Sequence, residues 1–185
     1  MEGRSPRFIA FATELSASAR RVGERIEVRV RVENRHTGHA FPSSFPDRNA
    51  ILLVEVSDGS GLLTETDGPV VPWWASGDGR QDPGRDFAGR AGRGYARVLA
   101  AADGESPVFY LRAVKAGDVD SRLRAGSVDE STFGFAAMGG AARVRVSLRH
   151  RLRFKAESDR YLARFPLADK GEFETMGDVV ELALP

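Results

Sequence analysis

Two stretches of this chain alternate apolar and polar residues so strictly that each must be a strand with one face buried. From Glu24 to Asn34, Ile26, Val28, Val30 and Val32 oppose Glu27, Arg29, Arg31 and Glu33. From Arg143 to Phe154, Val144, Val146, Leu148, His150, Leu152 and Phe154 oppose Arg143, Arg145, Ser147, Arg149, Arg151 and Arg153. Successive strand side chains point to opposite faces, so this pattern implies a sheet with one wet side. Ala50 to Ser57 reads as a third strand, closed by the turn Asp58-Gly59-Ser60-Gly61. Weaker strands are expected at Phe8–Leu15, Pro107–Val114, Ser131–Ala137 and Val179–Leu184. Turn signals between strands, with no βαβ rhythm, imply an all-β, immunoglobulin-like antiparallel β-sandwich. One short helix is expected at Glu157–Phe165, where Tyr161, Leu162 and Phe165 share a face. Residues 69–97, rich in glycine, proline and arginine, break the pattern and read as a long irregular loop within a single domain of residues 1–185.

Composition narrows function mainly by exclusion. A hydrophobic content of 42% over 185 residues supports a real core, and a net charge of +1 provides no field to draw in nucleic acid or an anionic membrane. The segment from Gly77 to Arg97 is Gly/Arg-rich, like some single-strand-binding segments. However, Asp78, Asp82 and Asp86 interleave with its arginines, and only Phe87 and Tyr95 could stack, so no nucleic-acid partner is expected. Cysteine is absent, which excludes disulfides, thiolate metal sites and covalent c-type haem attachment within these residues. The first six residues hold no apolar run of signal-peptide length, and no stretch approaches the roughly 18 apolar residues that span a bilayer. Heavy use of Arg, Ala and Gly, with lysine only at Lys115, Lys155 and Lys170, points to a GC-rich bacterial genome. No nucleophile elbow, phosphate-cradling glycine loop or isolated acid–base pair is visible. No enzymatic activity, cofactor or metal is expected.

Four groups of residues could carry recognition. His36 and His39 flank Thr37-Gly38 in a connection stiffened by Pro42 and Pro46, where an imidazole could serve as a ligand or simply brace the loop. Arg145, Arg149 and Arg151, with Arg143 and Arg153, form a ladder whose guanidiniums could meet carboxylates of a partner or of neighbouring strands such as Glu27, Glu33 or Glu55. Trp73 and Trp74, behind Pro72, are the natural anchors of a binding loop; adjacent strand residues cannot face one core together, so one is expected outside. Asp118, Asp120, Asp129 and Glu130 are oxygen-rich enough for calcium, but their spacing is not that of an EF-hand, and Asp120 is better placed to pair with Arg122.

The order of these motifs carries a resemblance. An alternating strand ends in Asn34, followed by Gly38-His39-Ala40-Phe41-Pro42, then Arg48 and a strand closed by Asp58-Gly59. Asp120-Ser121-Arg122-Leu123, Gly126 and Thr132-Phe133-Gly134-Phe135 come later. This resembles the β-rich C-terminal domain of some bacterial multihaem c-type cytochromes, from about Ile26 to Leu184. It departs from that pattern in lacking every Cys-x-x-Cys-His haem site and in having Pro42-Ser43-Ser44 where Pro-Thr-Gly is usual. The resemblance implies a non-catalytic docking subunit, periplasmic or on the outer face of a bacterial membrane. Its partner would be a haem protein or an electron-transfer complex (respiratory or photosynthetic). Trp73, Trp74, Phe41 and Phe45 would supply apolar contact, and Arg145, Arg149 and Arg151 charge. The alternative is a module binding carbohydrate or another small ligand on Trp73, Trp74 and Tyr95.

Overall fold

The computed structural model describes residues 12–43, 45–77, 84–164 and 174–185, with backbone alone at 115–118 and 174–176. Its strands are β1 (Glu14–Val22), β2 (Arg25–Glu33), β3 (Asn49–Asp58), β4 (Gly61–Leu62), β5 (Glu65–Asp67), β6 (Gly92–Ala100), β7 (Val114–Asp120), β8 (Val128–Ala136), β9 (Ala142–Arg151) and β10 (Glu174–Leu184), and helix α1 runs over Lys155–Arg164. They form two antiparallel sheets, β1-β2-β8-β5 and β10-β9-β3-β6-β7, with β4 beside β3. The all-β, immunoglobulin-like antiparallel sandwich expected from the alternation is the fold observed.

Alternation explains the core. Ile26, Val28, Val30 and Val32 of β2 and Phe133 and Phe135 of β8 face Leu52, Val54, Val56, Val144, Val146 and Leu148 of the opposite sheet. Pairing Arg25↔Ala136 through Glu33↔Val128 sets β2 against β8, and Asn49↔Arg151 through Ser57↔Arg143 sets β3 against β9. Slipping either pair by one residue would turn its valines to water and its arginines inward, so the pattern specifies the register.

A second, smaller cluster forms on the outer face of the larger sheet. There Ile51, Leu53, Ala96 and Val98 are covered by Val71, Trp74, Ala75 and Phe87 from the chain between β5 and β6, and by Phe154 ahead of α1. Strand β3 is therefore buried on both sides, in keeping with its unbroken run Ala50-Ile51-Leu52-Leu53-Val54. The wet face expected of β9 is wet only at its start: Arg143 and Arg145 are exposed, while Ser147 is buried and Arg151 is buried beneath the covering segment.

Some element boundaries differ from expectation. The loop assigned to 69–97 ends in a strand: from Gly92 it is β6, paired to β3 and β7. The same loop contains a 3-10 turn at Trp73–Ala75, and its residues 78–83, including Asp78, Asp82 and Pro83, lie outside the described residues. In place of a strand at Pro107–Val114 there is a 3-10 turn, Tyr110–Arg112, and β7 starts at Val114. Of the strand placed at Phe8–Leu15, residues 8–11 lie outside the described residues, and β1 continues to Val22. The helix expected at Glu157–Phe165 is α1, with Phe165 outside the described residues.

Gly94 shows how closely the covering segment sits. A Cβ there would lie 2.4 Å from Trp74 Cζ2 and 2.7 Å from Pro72 Cδ. Gly94→Ala is expected to cost about 1–3 kcal/mol by overpacking. Urea denaturation of the variant would measure it, and an unchanged midpoint would show that the indole can step aside.

Candidate docking site

The segment between β5 and β6 crosses the outer face of the larger sheet as a strap, and its tryptophans take opposite roles. Trp74 is buried, edge-on to Phe154 with ring centroids 5.5 Å apart. Trp73 is 61% exposed. It borders a groove of about 510 Å³ whose walls include Pro69, Val70 and Pro72 of the strap and Val98 and Val119 of β6 and β7. Val70 and Val119 are also more than half exposed. A rigid indole above an apolar trough at a sheet edge is the arrangement of a binding anchor. Trp74 is withdrawn from that role by its burial.

The strap is held from below by charge. Arg151 is 1% exposed; its Nη1 donates to the Ala75 carbonyl over 2.8 Å and its Nη2 to the Arg85 carbonyl. Its guanidinium lies 5.0 Å from the Phe87 ring centroid, with those of Arg149 and Arg90 at 4.9 and 5.6 Å. Lys155, also buried, donates from Nζ to Asp159 Oδ2 at 2.6 Å and lies 3.7 Å from Asp86 Oδ1, which accepts the Gly77 amide at 2.8 Å.

This disposes of most of the arginine ladder as a docking face. Arg151 serves the interior because the strap, contributed by a distant part of the chain, covers the polar side of β9. Arg149 is half-buried against Phe87, and Arg145 pairs with Glu181 across β10 at 2.7 Å. Glu55, directly opposite Arg145 on β3, is engaged by Arg90 at 2.6 Å. Glu27 and Glu33 bind Arg29 and Arg31 on the other sheet. Of the ladder, Arg145 is thus matched by an acid of the neighbouring strand, while Arg149 and Arg151 are turned to the strap.

The connection from β2 to β3 is organised by Asn34, fully buried at the end of β2. Its Nδ2 donates to the His39 carbonyl at 2.8 Å and the Leu123 carbonyl at 3.0 Å, and its Oδ1 accepts from Thr37 Oγ1 at 2.5 Å. Phe41 then exchanges both main-chain hydrogen bonds with Leu123. Its ring is 5% exposed and 6.3 Å from that of His150, so Phe41 belongs to the core and not to a partner surface. Phe45 is 55% exposed, with Tyr110 6.1 Å away. His36 and His39 are both exposed, and His39 Nδ1 lies 3.3 Å from the Ala40 carbonyl. Beside this contact of the His39 ring with its own neighbour, Asn34 holds the His39 main chain from the end of β2. Asn34→Ala would leave the Leu123 and His39 carbonyls without these donors, so it is expected to cost about 2 kcal/mol and to speed amide exchange at Phe41 and Leu123. Exchange measured by NMR checks this; unchanged protection would count against it.

The acidic residues considered for calcium divide among separate partners. Asp120 takes Arg122 at 2.6 Å, and that guanidinium holds its carboxyl below the ordinary value. Asp129 accepts from Tyr95 Oη at 2.7 Å and pairs with Arg93 at 3.1 Å. Burial and the Asp129 charge push the Tyr95 hydroxyl pKa up; the ring is in the core and is not a stacking surface. The Asp118 side chain lies outside the described residues. Among the described residues, no three His, Asp or Glu side chains form a group that could hold a metal.

No family model matches this chain, and no curated protein does. Among solved structures, the Fcho1 Mu homology domain of Danio rerio with bound Eps15 peptide aligns over 92% of this chain and 43% of its own at 9% identity, but its TM-score of 0.31 carries no argument. The penta-haem cytochrome c552 of Thermochromatium tepidum aligns with a TM-score of 0.69 over 100% of this chain and 42% of its own, at 22% identity. The whole chain therefore shares its fold with less than half the length of a multihaem cytochrome.

Proposed function

We propose that this chain is a non-catalytic docking subunit of a bacterial cytochrome-containing electron-transfer complex, respiratory or photosynthetic, acting on the outer side of the membrane. The observation that carries this reading is the fold shared along the full chain with a penta-haem cytochrome. These 185 residues hold no cysteine to attach a c-type haem, so the haem would sit on the partner. Recognition would rest on apolar contact: Trp73 and its groove, with Phe45 and Tyr110 as a second exposed aromatic pair. Because Arg145 is matched by Glu181 and Arg151 is buried, charge plays a minor part.

The test is affinity purification of the tagged chain from native membranes, followed by haem staining. A haem-bearing protein should co-purify from wild type, be lost with Trp73→Ala, and resist moderate salt, since apolar contacts are not screened. A monodisperse chain with no haem-stained companion would overturn the proposal. The groove beside Trp73 also favours a second reading, a module for a small ligand such as a carbohydrate, now on Trp73 without Trp74 or Tyr95. Thermal stabilisation by glycans that vanishes in Trp73→Ala, with no haem partner captured, would decide for it.

A further inference from the structure

We infer that Arg151 is the positioning residue of the docking face: its buried guanidinium sets the pose of Trp73. The inference rests on the docking reading above for its purpose, though not for its geometry. Ala75 and Arg85 stand on the two limbs of the strap, and one guanidinium takes the carbonyls of both. Ala75 closes the 3-10 turn that begins at Trp73, and its amide is bound in turn by the Pro72 carbonyl at 3.0 Å. Fixing the Ala75 carbonyl therefore fixes the turn from which the indole projects. Only a planar fork with divergent N–H groups can hold two carbonyls and stack on Phe87 at once; the ammonium of a lysine cannot reproduce this. Further ties bind the limbs together: the Ala88 amide donates to Ser76 Oγ at 3.0 Å, and the Gly77 amide to Asp86. None of them ties the strap to β9; Arg151 does so by hydrogen bonds, where Arg149 only stacks on the Phe87 ring. A residue in the polar phase of a strand is thus inverted in use, acting from beneath on a side chain it never touches.

Holding Trp73 before a partner arrives removes an ordering cost at binding, so loss of the clamp should weaken capture by about tenfold. The experiment uses the full chain with Trp74→Phe, which leaves Trp73 as its one tryptophan. Time-resolved fluorescence anisotropy is compared among Arg151, Arg151→Lys and Arg151→Met. With Arg151 present, Trp73 should depolarise mainly with tumbling of the whole molecule. Arg151→Met should add a large fast component, and Arg151→Lys one nearly as large although the positive charge remains. Far-ultraviolet circular dichroism verifies that each variant is folded. If Arg151→Met does not fold, Arg151→Lys decides alone. An unchanged fast component in a folded variant overturns the inference. So does a loosened Trp73 with undiminished capture of the haem partner. If wild type captures no partner, the docking reading fails, and anisotropy still decides whether Arg151 sets the pose of Trp73.

Discussion

Trp74→Ala should destabilise the protein by about 3–5 kcal/mol and lower its melting temperature by roughly 10 °C, while Trp73→Ala should change stability by no more than about 0.5 kcal/mol. The two residues are neighbours of identical chemistry, so the contrast isolates environment. Trp74 is 4% exposed, wedged between Gly94 and Phe154, and is the largest of the side chains that cover Ile51 and Leu53 on the outer sheet face. Removing its indole opens a void that the two-sided burial of β3 prevents from closing. Trp73, at 61% exposure, loses little on truncation because water already reaches most of its ring. Urea unfolding followed by circular dichroism measures both variants. Equal losses would mean that the strap is held as one unit and that Trp73 contributes to folding. The pattern expected is opposite for function: Trp73→Ala should abolish partner capture in a protein as stable as wild type.

The parts of this fold visible in the sequence are those decided by local pattern. β2 and β9 show strict alternation because one side of each meets the core, and Ala50 to Val54 shows an apolar run because both sides of β3 are covered. β6 lacks both signals. Gly92 and Gly94 replace side chains where the Leu52 carbonyl and the Trp74 ring come close, so a central strand has the composition of a loop. β1 beyond Leu15 is equally obscure, since its inward positions Ala17 and Ala19 are too small to stand out from Ser16 and Ser18.

The site was legible in its residue types but not in their assignment. That one tryptophan of the pair would be exposed follows from adjacency; which one depends on where the strap lies. The arginines of β9 all fall in the polar phase of the strand, and that phase is real. Which of them meets water depends on a segment more than fifty residues away, and nothing within the ladder distinguishes Arg151 from Arg145. Asn34 marked the end of a strand in the sequence. Its part as the fastener of two connections appears only when Leu123, eighty-nine positions on, is brought alongside.

The protein is expected to lose about 3 kcal/mol of stability as pH falls from 6.5 to 4, through His150 alone. His150 lies on the inner face of β9 beside Phe41, 6% exposed, and its Nδ1 has no hydrogen-bond partner among the described residues. Burial, aided by the nearby Arg48 charge, lowers its pKa from 6.5 to about 4, so the folded protein keeps the ring neutral where the unfolded chain protonates it. Across that window the unfolded state binds more protons, so acid favours unfolding; above 6.5 the ring is neutral in both states and the contribution is complete. Asp47 acts in the opposite sense, since burial raises its carboxyl and protonation relieves the cost of burying a charge. The exposed Glu14 and the half-buried Glu105, lowered by Arg35 and Arg112, lose their pairs at still lower pH. The His150 contribution is isolated by urea unfolding of wild type and His150→Phe between pH 7.5 and 4.5. Phenylalanine keeps the ring against Phe41 and does not titrate, so the stability of the variant relative to wild type should improve steadily below pH 6.5. Parallel pH profiles for the two proteins would show that His150 is not buried as a neutral ring and that acid sensitivity arises from the carboxylates.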